Sequence, residues 1–324
     1  MTARRTTFLF TALGLLTAAL FIADLAVGSV AVPLGDVWAA LTGGSCDPAT
    51  SDIILKIRLL KAVTALFAGA ALAAGGLEMQ TLFRNPLAGP YVLGVSSGAG
   101  LGVALFLQQM LLPWFAPMLG AVIGSVSAAL VVGVVNLYAR EREDTIINVV
   151  WALWMSIGLI FLHWTSGYVD LQGYLFGNIL LVTRTEIYMT LGLDLLILIP
   201  TLLFYNNILA MSFDGTFAEL RGVRVKLIYF LLLVLTALAI VLLINVVGII
   251  LVIALLTLPA ATAGCFTRHL WSMMLGATIL SGVFLVGGLF GGFWIDLPSG
   301  PVIVVLAALV YLCGLGFTAW RKRG

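Results

Sequence analysis

From Leu227 to Phe266 the chain carries no charged side chain, and apolar runs nearly as long recur from end to end. This feature constrains the fold more than any other. Only 9% of the 324 residues are charged and 62% are hydrophobic, whereas a soluble domain carries about 25% charged residues. The solvent for most of the chain is therefore lipid, where every backbone N–H and C=O needs a partner inside the structure. Helices and closed barrels meet that demand. The runs are continuous rather than short and alternating, which selects helices.

With roughly 20 residues needed per crossing, hydropathy predicts an all-α polytopic membrane protein of about ten spans. Their approximate limits are 7–27, 60–78, 91–112, 115–138, 146–166, 186–206, 227–244, 246–265, 271–292 and 301–319. Basic residues set the orientation. Arg4 and Arg5 precede the first span, Arg84 follows the second, Arg140 and Arg142 the fourth, Arg221, Arg224 and Lys226 the sixth, and Arg268 the eighth; Arg321, Lys322 and Arg323 close the chain. All fall on one side of a ten-span protein, which predicts both termini in the cytoplasm and an uncleaved first helix rather than a signal peptide. Lys56, Arg58 and Lys61, placed outside before the second span, break the pattern, as does Arg184. Residues 1–324 read as a single transmembrane domain, and 171–182, too short to span, as a re-entrant piece.

Motifs for ATP hydrolysis or metalloprotease chemistry do not occur: there is no GxxxxGK[ST] or HExxH. Cys46, Cys265 and Cys313 form no metal or redox pattern. Polar groups within spans are few: Glu78 near the cytoplasmic end of the second, Asp194, His163, Asn148 and Asn245. Ligand-type residues are scarce around His163, so it reads as a packed residue rather than a metal ligand. Glycine and serine from Gly94 to Gly102, with Ser96 and Ser97, suit close helix contact near a pathway or gate. Trp154 and Met155 in the fifth span are further pathway candidates. Pro259 should kink its helix and is a gate candidate.

The largest cytoplasmic connection, residues 212–226, reads as a short amphipathic helix. Asp214 stands at its start and Gly222 at its end, and Phe213, Phe217 and Leu220 share a face. An apolar face on a polar loop suits docking into a partner's groove.

The loop resembles the coupling helix of permeases of binding-protein-dependent ABC importers, with Ala218 and Gly222 in an A-x-x-x-G pattern. Residues 144–312 resemble the ABC-3 family of zinc, manganese and iron permeases. The matching segments are Leu175 to Leu180, Phe213 and Asp214 with Ala218 and Gly222, Val247 to Ala263, and Asp296 to Gly300. Residues 28–105 resemble instead the FecCD family of siderophore, haem and cobalamin permeases, through Ile57 to Lys61, Gly69 to Ala73, Gln80, Arg84 to Pro90 and Leu93 to Ala99.

These resemblances imply a type II ABC importer permease in the bacterial inner membrane that moves a transition-metal ion or metal chelate. The chain itself would bind no cofactor. ATP and Mg would act on a separate ABC ATPase subunit, a periplasmic or lipid-anchored binding protein would deliver cargo, and the permease would work as a homodimer without nucleic acid. Phe213, Asp214, Phe217, Ala218, Leu220 and Gly222 would couple to the ATPase, and Arg58 and Lys61 would seat the binding protein. An ion-coupled secondary transporter or a cobalamin importer is the alternative; a scarcity of buried carboxylates argues against the former.

Overall fold

The computed structural model describes residues 3–28, 30–82, 97–99, 101–102, 116–138, 182–267 and 269–323, together with scattered positions between 149 and 177. Among the described residues all regular structure is helical. The elements are α1 (Ala3–Ala26), α2 (Leu34–Thr42), α3 (Pro48–Ile53), a π turn (Ile54–Arg58), α4 (Leu59–Leu82), α5 (Ala116–Tyr138), α6 (Arg184–Leu203), α7 (Tyr205–Phe213), α8 (Gly215–Leu220), α9 (Val225–Val247), α10 (Ile249–Phe266), α11 (Leu270–Trp294) and α12 (Ser299–Arg323).

Seven helical runs among the described residues are long and apolar enough to cross a bilayer: Phe8–Ala26, Pro48–Thr81, Arg184–Leu203, Val225–Ile244, Ile249–Phe266, Leu270–Trp294 and Ser299–Trp320. Leu119–Val135, within α5, is apolar but shorter. The expected spans at 91–112 and 146–166 lie largely outside the described residues, as does the re-entrant reading of 171–182.

The second span departs from expectation. It starts not at 60 but at Pro48, in a continuous run through α3, the π turn and α4. Asp47 starts it by accepting hydrogen bonds from the backbone N–H and the hydroxyl of Thr50, both at 3.1 Å, with Pro48 in the first turn. A carboxylate cap and an early proline are strong start signals. Lys56, Arg58 and Lys61 therefore lie inside the helical run, not before it. The start of α6 is a reciprocal cap: the Thr183 N–H donates to Glu186 Oε2 (2.6 Å) and the Glu186 N–H to Thr183 Oγ1 (3.4 Å).

The chain divides into two compact units. Unit 1 comprises Met1–Ala74, Gln172–Asp194 and Asn245–Gly324; unit 2 comprises Gly75–Leu171 and Leu195–Ile244. In unit 1, α10, α11 and α12 pack on one another and α1 lies along α11. Small residues allow that closeness. A Cβ added at Gly276 would lie 3.0 Å from the Phe10 ring, and one at Gly69 would lie 2.6 Å from Leu285 Cδ1 and 2.7 Å from Ser281 Oγ. Pro259 is buried within α10. Gly177 and Gly248, from two of the segments quoted above, meet backbone to backbone: a Cβ on Gly177 would strike the Val247 carbonyl carbon and the Gly248 nitrogen. Both glycines have positive φ, 68° and 84°, where other residues are strained. In unit 2, Gly98 and Gly124 approach equally closely; a Cβ on Gly98 would strike the Gly124 carbonyl oxygen and lie 2.7 Å from Ala128 Cβ. Gly98, in the Gly/Ser run, is thus a point of close contact.

Candidate functional site

The loop helix α8 is shorter than the expected 213–223. It is one and a half turns, Gly215–Leu220, and Phe213 belongs to the preceding helix. One residue ends the first helix and starts the second. Asp214 is extended (φ −156°, ψ 113°), which ends α7, and its Oδ1 then accepts from the N–H groups of Thr216 (2.9 Å) and Phe217 (3.3 Å), which starts α8. At the far end Gly222 takes φ 84°, and the Val223 N–H closes back onto the Ala218 carbonyl at 3.1 Å, a glycine-dependent C-terminal cap.

The side chains divide between two faces. Phe213, Phe217 and Leu220 are 79%, 49% and 83% exposed, so the apolar face expected of a docking helix is presented outward. The Arg221 guanidinium lies over the Phe217 ring, 4.8 Å from its centroid, which holds the ring in place. Ala218 corrects the expectation: it is 0% exposed. Its smallness serves packing within the protein rather than approach to a partner. Around Gly222 there is open space for a Cβ, so its constraint is its backbone conformation.

Directly behind α8, within unit 2, lies a cavity of about 170 Å³ lined by Glu78, Thr81, Ile208, Met211, Ser212, Gly215, Val225, Tyr229 and Leu232. Glu78, near the end of its span, is buried, only 4% exposed. The Thr201 hydroxyl is hydrogen-bonded to its Oε1 and also, at 2.6 Å, to the Ile197 carbonyl. Its Oε2 has no hydrogen-bond partner among the described residues. Asp24 and Asp194 are buried as well, so the scarcity of buried carboxylates expected from the sequence does not hold. No group of three or more His, Cys, Asp and Glu side chains converges among the described residues.

Arg58 and Lys61 stand elsewhere, in unit 1, and Arg58 does not offer its charge outward. It is 5% exposed. Its Nη1 donates to the carbonyls of Leu25 (2.9 Å) and Ala26 (3.0 Å), and its Nη2 donates to that of Val30. Leu25 and Ala26 are the last residues of α1, whose carbonyls lack intrahelical partners. Arg58 therefore caps α1 from another helix, and its expected seating of a partner is corrected by its burial. Lys61 Nζ is 3.0 Å from Asp24 Oδ1, with the two side chains 15% and 3% exposed. Its charge is matched within the fold. Lys56 is exposed and paired with Asp52 at 2.7 Å.

Of the pathway candidates, Ser97 is buried and Trp154 is half-buried. Ser96, Met155 and His163 lie outside the described residues.

Seven helical runs long and apolar enough to cross a bilayer among the described residues define a class, a multi-pass membrane protein. The chain belongs to the ABC 3 transport family, whose sequence profile matches residues 87–318. That match begins well before residue 144 and takes in the Gly94–Ala99 run, which had been assigned to a FecCD-like segment; a FecCD relationship gains no support from it. A probable metal transport system membrane protein of Chlamydia pneumoniae is 39% identical over 68% of this chain and 73% of its own length. A manganese transport system membrane protein of Halalkalibacterium halodurans is 35% identical over 64% of this chain and 70% of its own. Among solved structures, PsaBC from Streptococcus pneumoniae in complex with Fab superposes with a TM-score of 0.67 at 30% identity, covering 79% of this chain and 90% of that one. The chain is thus an ABC transporter permease, a multi-pass protein of the bacterial inner membrane.

Proposed function

We propose that this permease imports a transition-metal ion, manganese foremost, as a homodimer. A separate ATPase subunit supplies the energy and an external binding protein delivers the ion. The observation that carries the reading is α8. Its apolar residues Phe217 and Leu220 face outward, its start is fixed by Asp214 and its end by Gly222, and a rigid apolar ridge of this kind suits a groove on a partner. The names of the relatives point to a metal ion rather than a siderophore or haem. In the reaction cycle, ATP closes the ATPase dimer, α8 moves with it, and helices joined to α8 change the access of the pathway.

The test is reconstitution of the permease with its ATPase and binding protein in proteoliposomes containing ATP. Mn²⁺ supplied on the binding protein should accumulate only when ATP is hydrolysed. Accumulation that ignores ATP and collapses with a proton uncoupler would replace this reading with an ion-coupled secondary transporter.

A further inference from the structure

We propose that α2 is an interfacial helix whose partner is the lipid surface: it lays the face formed by Leu34, Trp38 and Leu41 into the outer boundary of the bilayer. Lipid contact of this kind does not depend on which ion the permease carries.

The helix is delimited and amphipathic. Pro33 precedes it, Asp36 lies in its first turn, and Gly43 ends it in the left-handed region at φ 75°. Leu34, Trp38 and Leu41 follow the spacing of one helical face, and all three are exposed, Trp38 at 70%. Asp36 falls on the far side of the helix from them. A separate stripe, Val37 and Ala40, is buried in a cluster with Leu25 of α1, Ile54 of the π turn and Ala62 of α4. That stripe seats α2 against the end of the first span and the opening turns of the second.

Two observations put the exposed face in lipid. The first is depth. A Cβ added at Gly276, Gly282 and Gly287 would meet Phe10, Thr17 and Leu20 in that order. The helices α1 and α11 therefore run parallel in register, and their ends, Ala26 and Trp294, come level. Trp294 is 69% exposed and is followed by exposed Ile295 and Leu297. The cluster around Leu25 ties α2 to this level, as does the Val32 N–H bonded to the Ala26 carbonyl at 3.0 Å. Exposed tryptophans at the end of a span form an aromatic belt, with the ring against hydrocarbon and the indole N–H among headgroups. The second observation is continuity. The exposed stripe of α1, Phe8, Leu15 and Ile22, faces lipid along a span, and apolar exposure resumes past its end at Val30 and Leu34. Arg4 and Arg5 mark the opposite end of α1 as cytoplasmic, which makes this boundary the outer leaflet. With no basic residue on α2, apolar burial rather than headgroup charge holds it there.

The experiment uses the full-length permease in phosphatidylcholine nanodiscs. The emission of Trp38 is read as the difference between wild type and Trp38→Phe. Lipid brominated near the top of its acyl chains should remove most of that difference, while aqueous iodide should leave it nearly intact. Adding anionic lipid, or an excess of the external binding protein, should change neither result. Leu41→Trp in the Trp38→Phe background should restore emission that bromine quenches, because it shares the face. Trp38 emission quenched by iodide and untouched by bromine would place the face in water and overturn the proposal. Shielding from both quenchers would assign the face to a second copy of the chain, and bromine quenching lost on adding the binding protein would assign it to that protein. Either result overturns lipid as the partner, as does a Leu41→Trp emission that bromine leaves unchanged.

Discussion

Replacing Arg58 with methionine removes a guanidinium and keeps most of the side-chain volume. The carbonyls of Leu25, in a buried bond, and Val30, in a partly buried one, lose the guanidinium, while that of Ala26 keeps the Val32 N–H at 3.0 Å. A hydrogen bond from a charged donor contributes about 1.5–3 kcal/mol. Water can replace part of the Val30 bond, so we count the Leu25 bond in full and the Val30 bond at half, which at the middle of that range gives about 3 kcal/mol. With a typical unfolding entropy per residue, that corresponds to a fall of about 4 °C in melting temperature for a chain of this length. Gly28→Ala reaches the same group from the other side, because its Cβ would sit 2.6 Å from Arg58 Nη2 and push the guanidinium off its carbonyls. The assay is thermal unfolding of the detergent-solubilised permease, followed by size-exclusion recovery after heating, alongside binding-protein affinity at low and high salt. Both variants should melt lower. An Arg58→Met protein with wild-type melting but a salt-dependent loss of binding-protein affinity would refute the capping role and restore a docking one.

Lys61→Met strands the buried carboxylate of Asp24, and loss of one partner of a buried pair costs about 3–5 kcal/mol; the double variant with Asp24→Asn should recover part of the lost melting temperature. Phe217→Ala should leave melting and membrane insertion unchanged yet lower transport-coupled ATP hydrolysis, read as binding-protein-stimulated phosphate release. Ala218→Trp should instead reduce the yield of folded protein on size-exclusion chromatography, because its site is closed by the protein's own packing, whereas Gly222→Ala should fold and lose about 1 kcal/mol of local stability, visible as faster proteolysis of the loop. Gly98→Val should prevent recovery of folded permease, since the new side chain would occupy the Gly124 carbonyl; normal yield would show that these helices separate freely.

The spans were legible because lipid demands long apolar runs, and α10, α11 and α12 end within a few residues of the hydropathy limits. The short helices α2 and α7 were not, since nine-residue elements leave too little periodicity to be distinguished from loops. The outward face of α8 followed from the spacing of Phe217 and Leu220, while the inward position of Ala218 did not. Smallness in a sequence suits close approach to any neighbour, and the sequence does not say whether that neighbour is a partner or the protein itself. Arg58 was misjudged for a related reason. The positive-inside bias describes charges that remain in water or among headgroups, and this one is consumed by the end of another helix. The nearness of Glu78 to a span end is readable in the sequence, but its burial by surrounding helices is not.

The π turn at Ile54–Arg58 carries one residue more than an α turn over the same arc. The helix on either side therefore keeps the phase of a chain one residue shorter. Ile57, in the middle of the turn, is exposed. A sequence lacking it can wind as plain α-helix through this stretch with the buried stripe of α4 still aligned to α3. What such a shortening forfeits is the angular position of Arg58. The surplus residue sets the azimuth at which the guanidinium meets the end of α1, so single-residue length variation in this helix should track the presence or absence of arginine at its rim.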